Sequence, residues 1–401
     1  MKKTQALADL SRYYLSFLNN DIPRLYLAVP KKRTLDDSAH LEAASRWICS
    51  AQDASGDGGV ARSYSIVYSP YFRARGWMPS YPETTGYIIP TMFDYSMLAG
   101  NRDAYERAVR MAEWESRVQL DNGAVQGGTI KEKPSPAIFN TGQVVFGWVR
   151  AFKETGDKKF LESALRAGDY LVREQDGDGA WRKNLSDYAS GEMKTYTYNT
   201  RTAWALLCLY EVTDDTRFRD SALRNIEFAL TQQLPNGWFR DNCLFNPAAP
   251  LLHTIAYAIR GVLEAGIFLQ NPRFIDAAKK SADALLTRQR PDGSLAGRFD
   301  RDWAPGVEWS CLTGNAQTGI IWGRLFQVTK NAKYLEGLKK VNRFMKSVQL
   351  MTTGNPGIYG GISGSYPLGG NYGRYEVLNW AVKFYMDSLM MEGTVQKGGA
   401  L

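Results

Sequence analysis

Residues able to do proton-transfer chemistry recur in six short segments of the 401-residue chain. These are Tyr81-Pro82-Glu83-Thr84-Thr85-Gly86, Asn140-Thr141-Gly142-Gln143, Tyr196-Thr197-Tyr198-Asn199-Thr200-Arg201, His253-Thr254-Ile255-Ala256-Tyr257, Thr313-Gly314-Asn315-Ala316-Gln317 and Tyr375-Glu376. Glu83 can act as a general acid or base, and His253 is one of only two histidines. The phenols of Tyr198 and Tyr257 could hold or move a proton. Glu376 supplies a second carboxylate, and Glu308 a third. Glycoside hydrolysis needs two carboxyl groups about 5–10 Å apart. Arg201 suits a carboxylate or phosphate. Tyr198, Tyr257 and Tyr375 could also stack on a sugar ring, and Tyr81, Trp309, Asn140, Gln143, Asn199, Asn315 and Gln317 are further candidates to bind a substrate. A competing role exists, because Asn and Thr at helix starts are commonly N-caps. Roughly half of Thr84, Asn140, Asn199, Thr254 and Asn315 are expected to be only that.

The elements that must position these residues follow from an internal repeat. A Gln closes a helix-like stretch and a glycine turn follows: Gln52 to Gly59, Gln119 to Gly123, Gln175 to Trp181, Gln233 to Trp238, Gln289 to Gly293, and Gln349 to Gly354. Successive glutamines are 67, 56, 58, 56 and 60 residues apart. Six turns at this spacing mark a repeat architecture. Before each turn runs an amphipathic stretch. Residues 158–174 gather Phe160, Leu161, Ala164, Leu165, Ala167, Leu171 and Val172 on one face. After each turn come a variable loop and a more apolar helix: 83–99, 140–154, 199–212, 253–268, 315–328 and 376–391. Apolar-all-round helices belong inside and one-sided ones outside. The pattern therefore predicts an all-α protein, an (α/α)6 toroid of inner and outer helix rings over 36–392. A helical extension over 1–35 and a frayed tail over 393–401 complete it. If the inner helices run parallel, all six polar segments meet at one mouth.

Composition narrows the partners. Lys and Arg number 49 against 41 Asp and Glu, a net +8. The excess suits an anionic substrate, although a solubility charge explains it equally well. Without a Lys/Arg-dense run, nucleic acid is not expected. Asp9 and Arg12 interrupt the apolar start, which argues against a signal peptide, and no 18-residue apolar run spans a membrane. The four cysteines are scattered and read as free thiols of a cytoplasmic protein. No GxSxG, P-loop or HExxH motif occurs, and Asp176-Gly177-Asp178-Gly179 is too short for an EF-hand. No metal and no cofactor are expected.

The Gln175–Trp181 turn resembles the QW repeat of squalene cyclases and protein prenyltransferases. The cyclases' DxDD motif is not found, since Asp214-Asp215 stands at the other end of a repeat, and Cys311 lacks the Asp two residues before it that a prenyltransferase zinc site has. The whole-chain pattern resembles the six-hairpin glycosidase group, which includes sugar 2-epimerases, unsaturated glucuronyl hydrolases and toroidal lyases. Residues 81–87 and 252–257 are similar to segments of toroid proteins from bacterial polysaccharide-biosynthesis loci. The resemblance implies a carbohydrate-active enzyme working on an oligo- or polysaccharide, as a glycoside hydrolase or a uronate lyase or epimerase. It also implies that Asn199, His253, Tyr198 or Tyr257, and Arg201 correspond to residues that neutralise a uronate and move its proton. A non-catalytic glycan-binding protein and a terpene cyclase or prenyltransferase-like enzyme are the alternatives.

Overall fold

The structure, a computed structural model, describes residues 21–30, 35–185 and 195–398. A short helix α1 (Ile22–Leu27) precedes six helical hairpins. The outer helices are α2 (Asp37–Ser55), α4 (Arg102–Val118), α6 (Lys158–Arg173), α8 (Thr216–Thr231), α10 (Pro272–Leu286) and α12 (Ala332–Val348). The inner helices are α3 (Pro82–Ala99), α5 (Ile138–Thr155), α7 (Thr200–Thr213), α9 (Leu252–Phe268), α11 (Leu312–Thr329) and α13 (Asn379–Gln396). Each inner helix packs on the next, and α13 packs on α3, so the inner ring closes. The expected (α/α)6 toroid is therefore the architecture found, with helix boundaries within a few residues of those read from sequence.

Amphipathicity explains the two rings. α6 buries Phe160, Ala164, Ala167 and Leu171 and exposes its other face, whereas α9 is buried along almost its whole length. Where inner helices touch, small residues are required. A Cβ on Gly261 of α9 would lie 2.3 Å from the Thr200 carbonyl carbon of α7, so only glycine fits.

The repeated glutamine has one job. Gln175 Nε2 donates to the carbonyl of Gly179 in its own turn, 3.0 Å, and to that of Ser221 on the next outer helix, 2.9 Å. Gln119, Gln233 and Gln289 do the same with Gly123 and Ser163, Gly237 and Ala277, and Gly293 and Gly337. Gln349 closes the circle onto the first outer helix through the His40 carbonyl, 3.0 Å. Its turn glycine is Gly360, at 2.9 Å, and not Gly354. Gly360 has φ +80° and donates to Leu350 O, as Gly179 donates to Asp176 O. The residues between them are an insertion that displaces the glycine.

Every outer helix starts with a side-chain cap: Asp36, Asn101, Asp157, Asp215, Asn271 and Asn331 accept from backbone N–H groups of the first turn. No inner helix does. The expectation that half of Thr84, Asn140, Asn199, Thr254 and Asn315 act as such caps is corrected. Four of them lie within their helices, and Asn199, at the α7 N-cap position, makes no capping bond.

Small strands occupy the loops that follow the turns. β1 (Ser63–Ser69) pairs with β2 (Ala74–Trp77) and with β5 (Glu376–Leu378), while β3 (Ser310–Cys311) pairs with β4 (Ser365–Tyr366). Glu376 thus belongs to a strand and not to the start of α13 as expected, because residues 376–378 extend along residues 63–65. α13 continues to Gln396, past the boundary expected at 392, and 399–401 lie outside the described residues. Of the expected N-terminal extension, 1–20 and 31–34 also lie outside them. Its described part is tied down where Arg75 Nε of β2 donates to Asp21, 2.6 Å. Among the described residues no helix is long and apolar enough to cross a membrane.

Candidate active site

All six inner-helix N-termini and the described parts of the long loops lie on one face of the ring, because each hairpin enters its inner helix there. Short links such as Gly156-Asp157 occupy the opposite face. The first face holds a cavity of about 170 Å³. Six of the sequence-derived candidates line it: Tyr81, Glu83, Asn140, Tyr198, His253 and Tyr257. Arg62, Tyr87, Phe139, Phe245, Tyr372 and Trp380 complete much of the wall.

Glu83 sits in the first turn of α3 behind Pro82, which is suited to that position. The Tyr81 hydroxyl donates to its Oε2 at 2.6 Å. Burial pushes the Glu83 carboxyl up to about 7, against the opposing pull of the Tyr81 hydrogen bond, Arg201 and Arg62. Glu83 therefore exchanges its proton near neutral pH, as a general acid or base must. His253 opens α9. Burial pushes it down to about 4, Arg201 adds to that, and the Gln317 hydrogen bond opposes it, so the ring is neutral at pH 7. Gln317 Oε1 lies 2.9 Å from Nδ1. With that oxygen as acceptor, Nδ1 carries the proton and Nε2 is left with a lone pair.

The walls are aromatic. His253 stands 4.4 Å from the Tyr257 ring and 5.6 Å from Tyr372, centroid to centroid. Tyr198 stacks on Tyr196 at 4.8 Å and meets Phe139 edge-on at 4.9 Å. Trp380 Nε1 donates to the Tyr372 hydroxyl, 2.9 Å, and the Arg62 guanidinium lies 5.0 Å from the Trp380 ring centre. Burial raises the Tyr198, Tyr257 and Tyr372 phenols well above their ordinary range, so they remain protonated donors.

The other candidates are placed differently. Gln143 accepts from Arg201 Nε at 2.5 Å behind the wall. Asn199 is buried with neither amide atom hydrogen-bonded among the described residues. Asn315 pins the preceding loop, accepting from Leu295 N at 2.8 Å and donating to Cys311 O at 2.8 Å. Glu376 is off the wall and held by Arg62 at 2.6 Å. Tyr375, at φ +61°, is half-buried with its hydroxyl 3.3 Å from Arg374, off this wall. Trp309 packs over Gly297 and Gly370 instead of lining the cavity. Exposed Glu308 approaches Arg290. Arg201 does not line this cavity. It enters the interior of the ring and faces a second cavity from the other side.

Arg62, Tyr372 and Trp380 were not anticipated. Arg62 and Tyr372 lie in aperiodic loops, and the only available sign was aromatic density around Tyr372-Gly373-Arg374-Tyr375.

Against known proteins, the sequence profile of the squalene-hopene cyclase C-terminal domain family matches residues 78–263. An unsaturated glucuronyl hydrolase specific for heparin superposes with a TM-score of 0.69 at 14% identity, over 90% of this chain and 98% of that one. The unsaturated glucuronyl hydrolase of Bacillus sp. GL1, responsible for degrading glycosaminoglycan, gives 0.69 at 15% identity, over 90% and 97%. A sugar epimerase from a ruminal bacterium gives 0.71 at 14%, over 91% and 99%. The fold is that of the six-hairpin glycosidases. No curated protein sequence matches the chain. At these identities the likeness defines the fold and leaves the chemistry to the site.

Proposed function

We propose that the chain is a carbohydrate-active enzyme that moves a proton on a saccharide, as a uronate lyase or an epimerase does. The observation that supports this reading is the placement on one cavity wall of a carboxyl that burial raises to about 7 and an imidazole that burial lowers. Glu83 serves as acid and His253 Nε2 as base. Tyr257 and Tyr198 donate hydrogen bonds to the oxygen on which charge develops. Trp380, Tyr372 and Tyr81 offer flat faces to a sugar ring. The inner-helix N-termini make the mouth favourable for an anionic sugar. Hydrolysis by paired carboxylates is less well supported, because among the described residues Glu83 is the one carboxylate on the wall and Glu376 is tied to Arg62.

The aromatic wall also favours the cyclase reading, together with the family match over residues 78–263. A cavity of about 170 Å³ with a histidine and an arginine on its wall suits a single sugar ring better than a long isoprenoid chain.

The test is incubation with uronate oligosaccharides and reducing sugars in D2O, followed by NMR. Deuterium incorporation at a ring carbon, or a new unsaturated uronate, is expected. Loss of at least a hundredfold in rate is expected for Glu83→Gln and for His253→Ala, in line with general acid–base contributions of roughly 10²–10⁴. Turnover retained by both variants overturns the assignment. Saturable glycan binding without any product identifies a binding protein instead, and turnover of a polyprenyl substrate identifies a cyclase.

A further inference from the structure

The opposite mouth holds a second cavity, about 330 Å³, walled by all six inner helices, with Arg201 reaching it from the start of α7. Six basic and four acidic side chains line it, so its wall carries net positive charge. Most of the bases are matched. Arg260 Nε donates to Glu264 at 2.6 Å, Arg324 grips the same carboxylate at 2.9 Å with two nitrogens, and Lys383 is bonded to Asp387.

Arg201 is different. It is 4% exposed, yet no carboxylate stands within ion-pair distance among the described residues. Its Nε is spent on Gln143 at 2.5 Å. Five rings surround the guanidinium carbon at 5.1–5.8 Å: Tyr87, Phe146, Trp204, Tyr257 and Phe384. Ring faces soften the desolvation of a cation but accept none of its in-plane N–H bonds. The two terminal nitrogens carry four further N–H donors, and the cavity is the space this side chain lines. Arg201 and Arg260 also help burial push Lys383 down to about 8, a sign that the bases crowd one another.

We infer that the second mouth is a binding site for a small oxyanion, a phosphate or a carboxylate, held end-on by the two terminal nitrogens of Arg201. A planar guanidinium fixed at Nε presents its fork in one direction, the geometry that pairs with two oxygens of a carboxylate or phosphate. The anion supplies the acceptors the aromatic cage lacks and offsets the surplus positive charge. This site does not depend on the chemistry proposed for Glu83.

The experiment titrates inorganic phosphate, and separately acetate, into the full chain at pH 7 with ionic strength held constant by NaCl. Melting temperature and calorimetry are the readouts. A saturable rise in melting temperature is expected for at least one anion, since a ligand that binds only the folded state stabilises it. Phosphate alone points to a tetrahedral oxyanion and acetate alone to a carboxylate. Arg201→Met is expected to weaken binding at least tenfold, and Arg201→Lys less. Absence of saturation with both anions, or unchanged affinity in Arg201→Met, overturns the inference. Should the Met variant fail to fold, a wild-type crystal soaked in arsenate and read by its anomalous signal decides the matter. A peak on Arg201 supports the site, and peaks only elsewhere refute it.

Discussion

Replacing Glu83 with Gln should stabilise the protein while removing its activity, and the size of the effect follows from the site. The carboxyl is held at about 7 against an ordinary 4.5, chiefly by burial. That difference is worth about 3 kcal/mol between the protonation states. Glu83 keeps a partly exposed edge on the cavity, so about 2–3 kcal/mol is the figure to expect. The sign follows from proton binding. Between pH 4.5 and 7 the unfolded chain has released this proton and the folded chain retains it. Stability therefore falls by up to about 1.4 kcal/mol per pH unit as pH rises, then levels off above 7. A neutral amide escapes this loss, and the Tyr81 hydroxyl can still donate to its oxygen. Urea denaturation of wild type and Glu83→Gln at pH 4.5, 6 and 8 makes the comparison. Near-equal stability is expected at pH 4.5, with the variant ahead at pH 8 by the amount above. In melting temperature that is a gain of a few degrees, at roughly 1–2 °C per kcal/mol for a chain of this size. Parallel stability curves across pH would show that Glu83 is an ordinary ionised carboxylate. The general-acid role would then fall, whatever the substrate.

Four further variants have expected outcomes. Gln349→Ala should cost about 3–5 kcal/mol in urea denaturation, because the buried amide holds the Gly360 and His40 carbonyls and also meets His40 Nδ1 and the Tyr385 hydroxyl. A cost near that of an exposed substitution would deny it a role in closing the ring. Glu115→Gln should raise stability at pH 8 but not at pH 4. Its carboxyl is fully buried with no hydrogen-bond partner among the described residues, and burial lifts it well above 4.5, so wild-type stability drains away as pH rises. Gly360→Ala should be severely destabilising, by about 2 kcal/mol or more, as a Cβ there would lie 2.0 Å from the Ala43 carbonyl oxygen at φ +80°. Gly354→Ala, with nothing near its Cβ position, should be nearly neutral, and the reverse order would contradict the turn assignment.

The toroid was readable because each repeat needs one long amide at one place. Gln175 must reach both Gly179 and Ser221, and few side chains can satisfy two carbonyls on neighbouring helices at once. Asp157 and Asp215, which the structure shows capping outer helices, carry no such repeated long-range contact. Convergence of Glu83, Tyr198, Tyr257 and His253 followed from register alone. Direction did not. Arg201 starts an inner helix as His253 does, yet its long side chain runs into the aromatic interior and emerges towards the far mouth. Residue type and helix position carry no record of that choice. Glu376 and Tyr375 were misplaced because the pairing that makes β5 a strand lies some 310 residues away at Ser63–Ser65, beyond any local pattern. The sixth turn was misread for a simpler reason: Gly354 is the nearer glycine, and the insertion before Gly360 leaves no compositional trace.

The contrast between the two sets of helix starts explains why one face of the ring is available for chemistry. Outer helices begin on the short-link face, where an Asp or Asn at the cap satisfies the first turn with its own side chain. Inner helices begin under the long loops, and loop backbone takes over part of that task. Leu252 N donates to Gly297 O, Leu312 N to Gly364 O and Asn379 N to Arg62 O, each within 3.2 Å. Side chains of the inner first turns are thereby released from capping, and Glu83 and His253 can face the cavity. The same loops then have a second duty. A loop that supplies a carbonyl to one helix start also places Arg62 and Tyr372 on the wall, so its backbone supports the ring while its side chains shape the cavity. A six-hairpin toroid can in this way keep its glutamine clips and caps constant while its mouth changes chemistry.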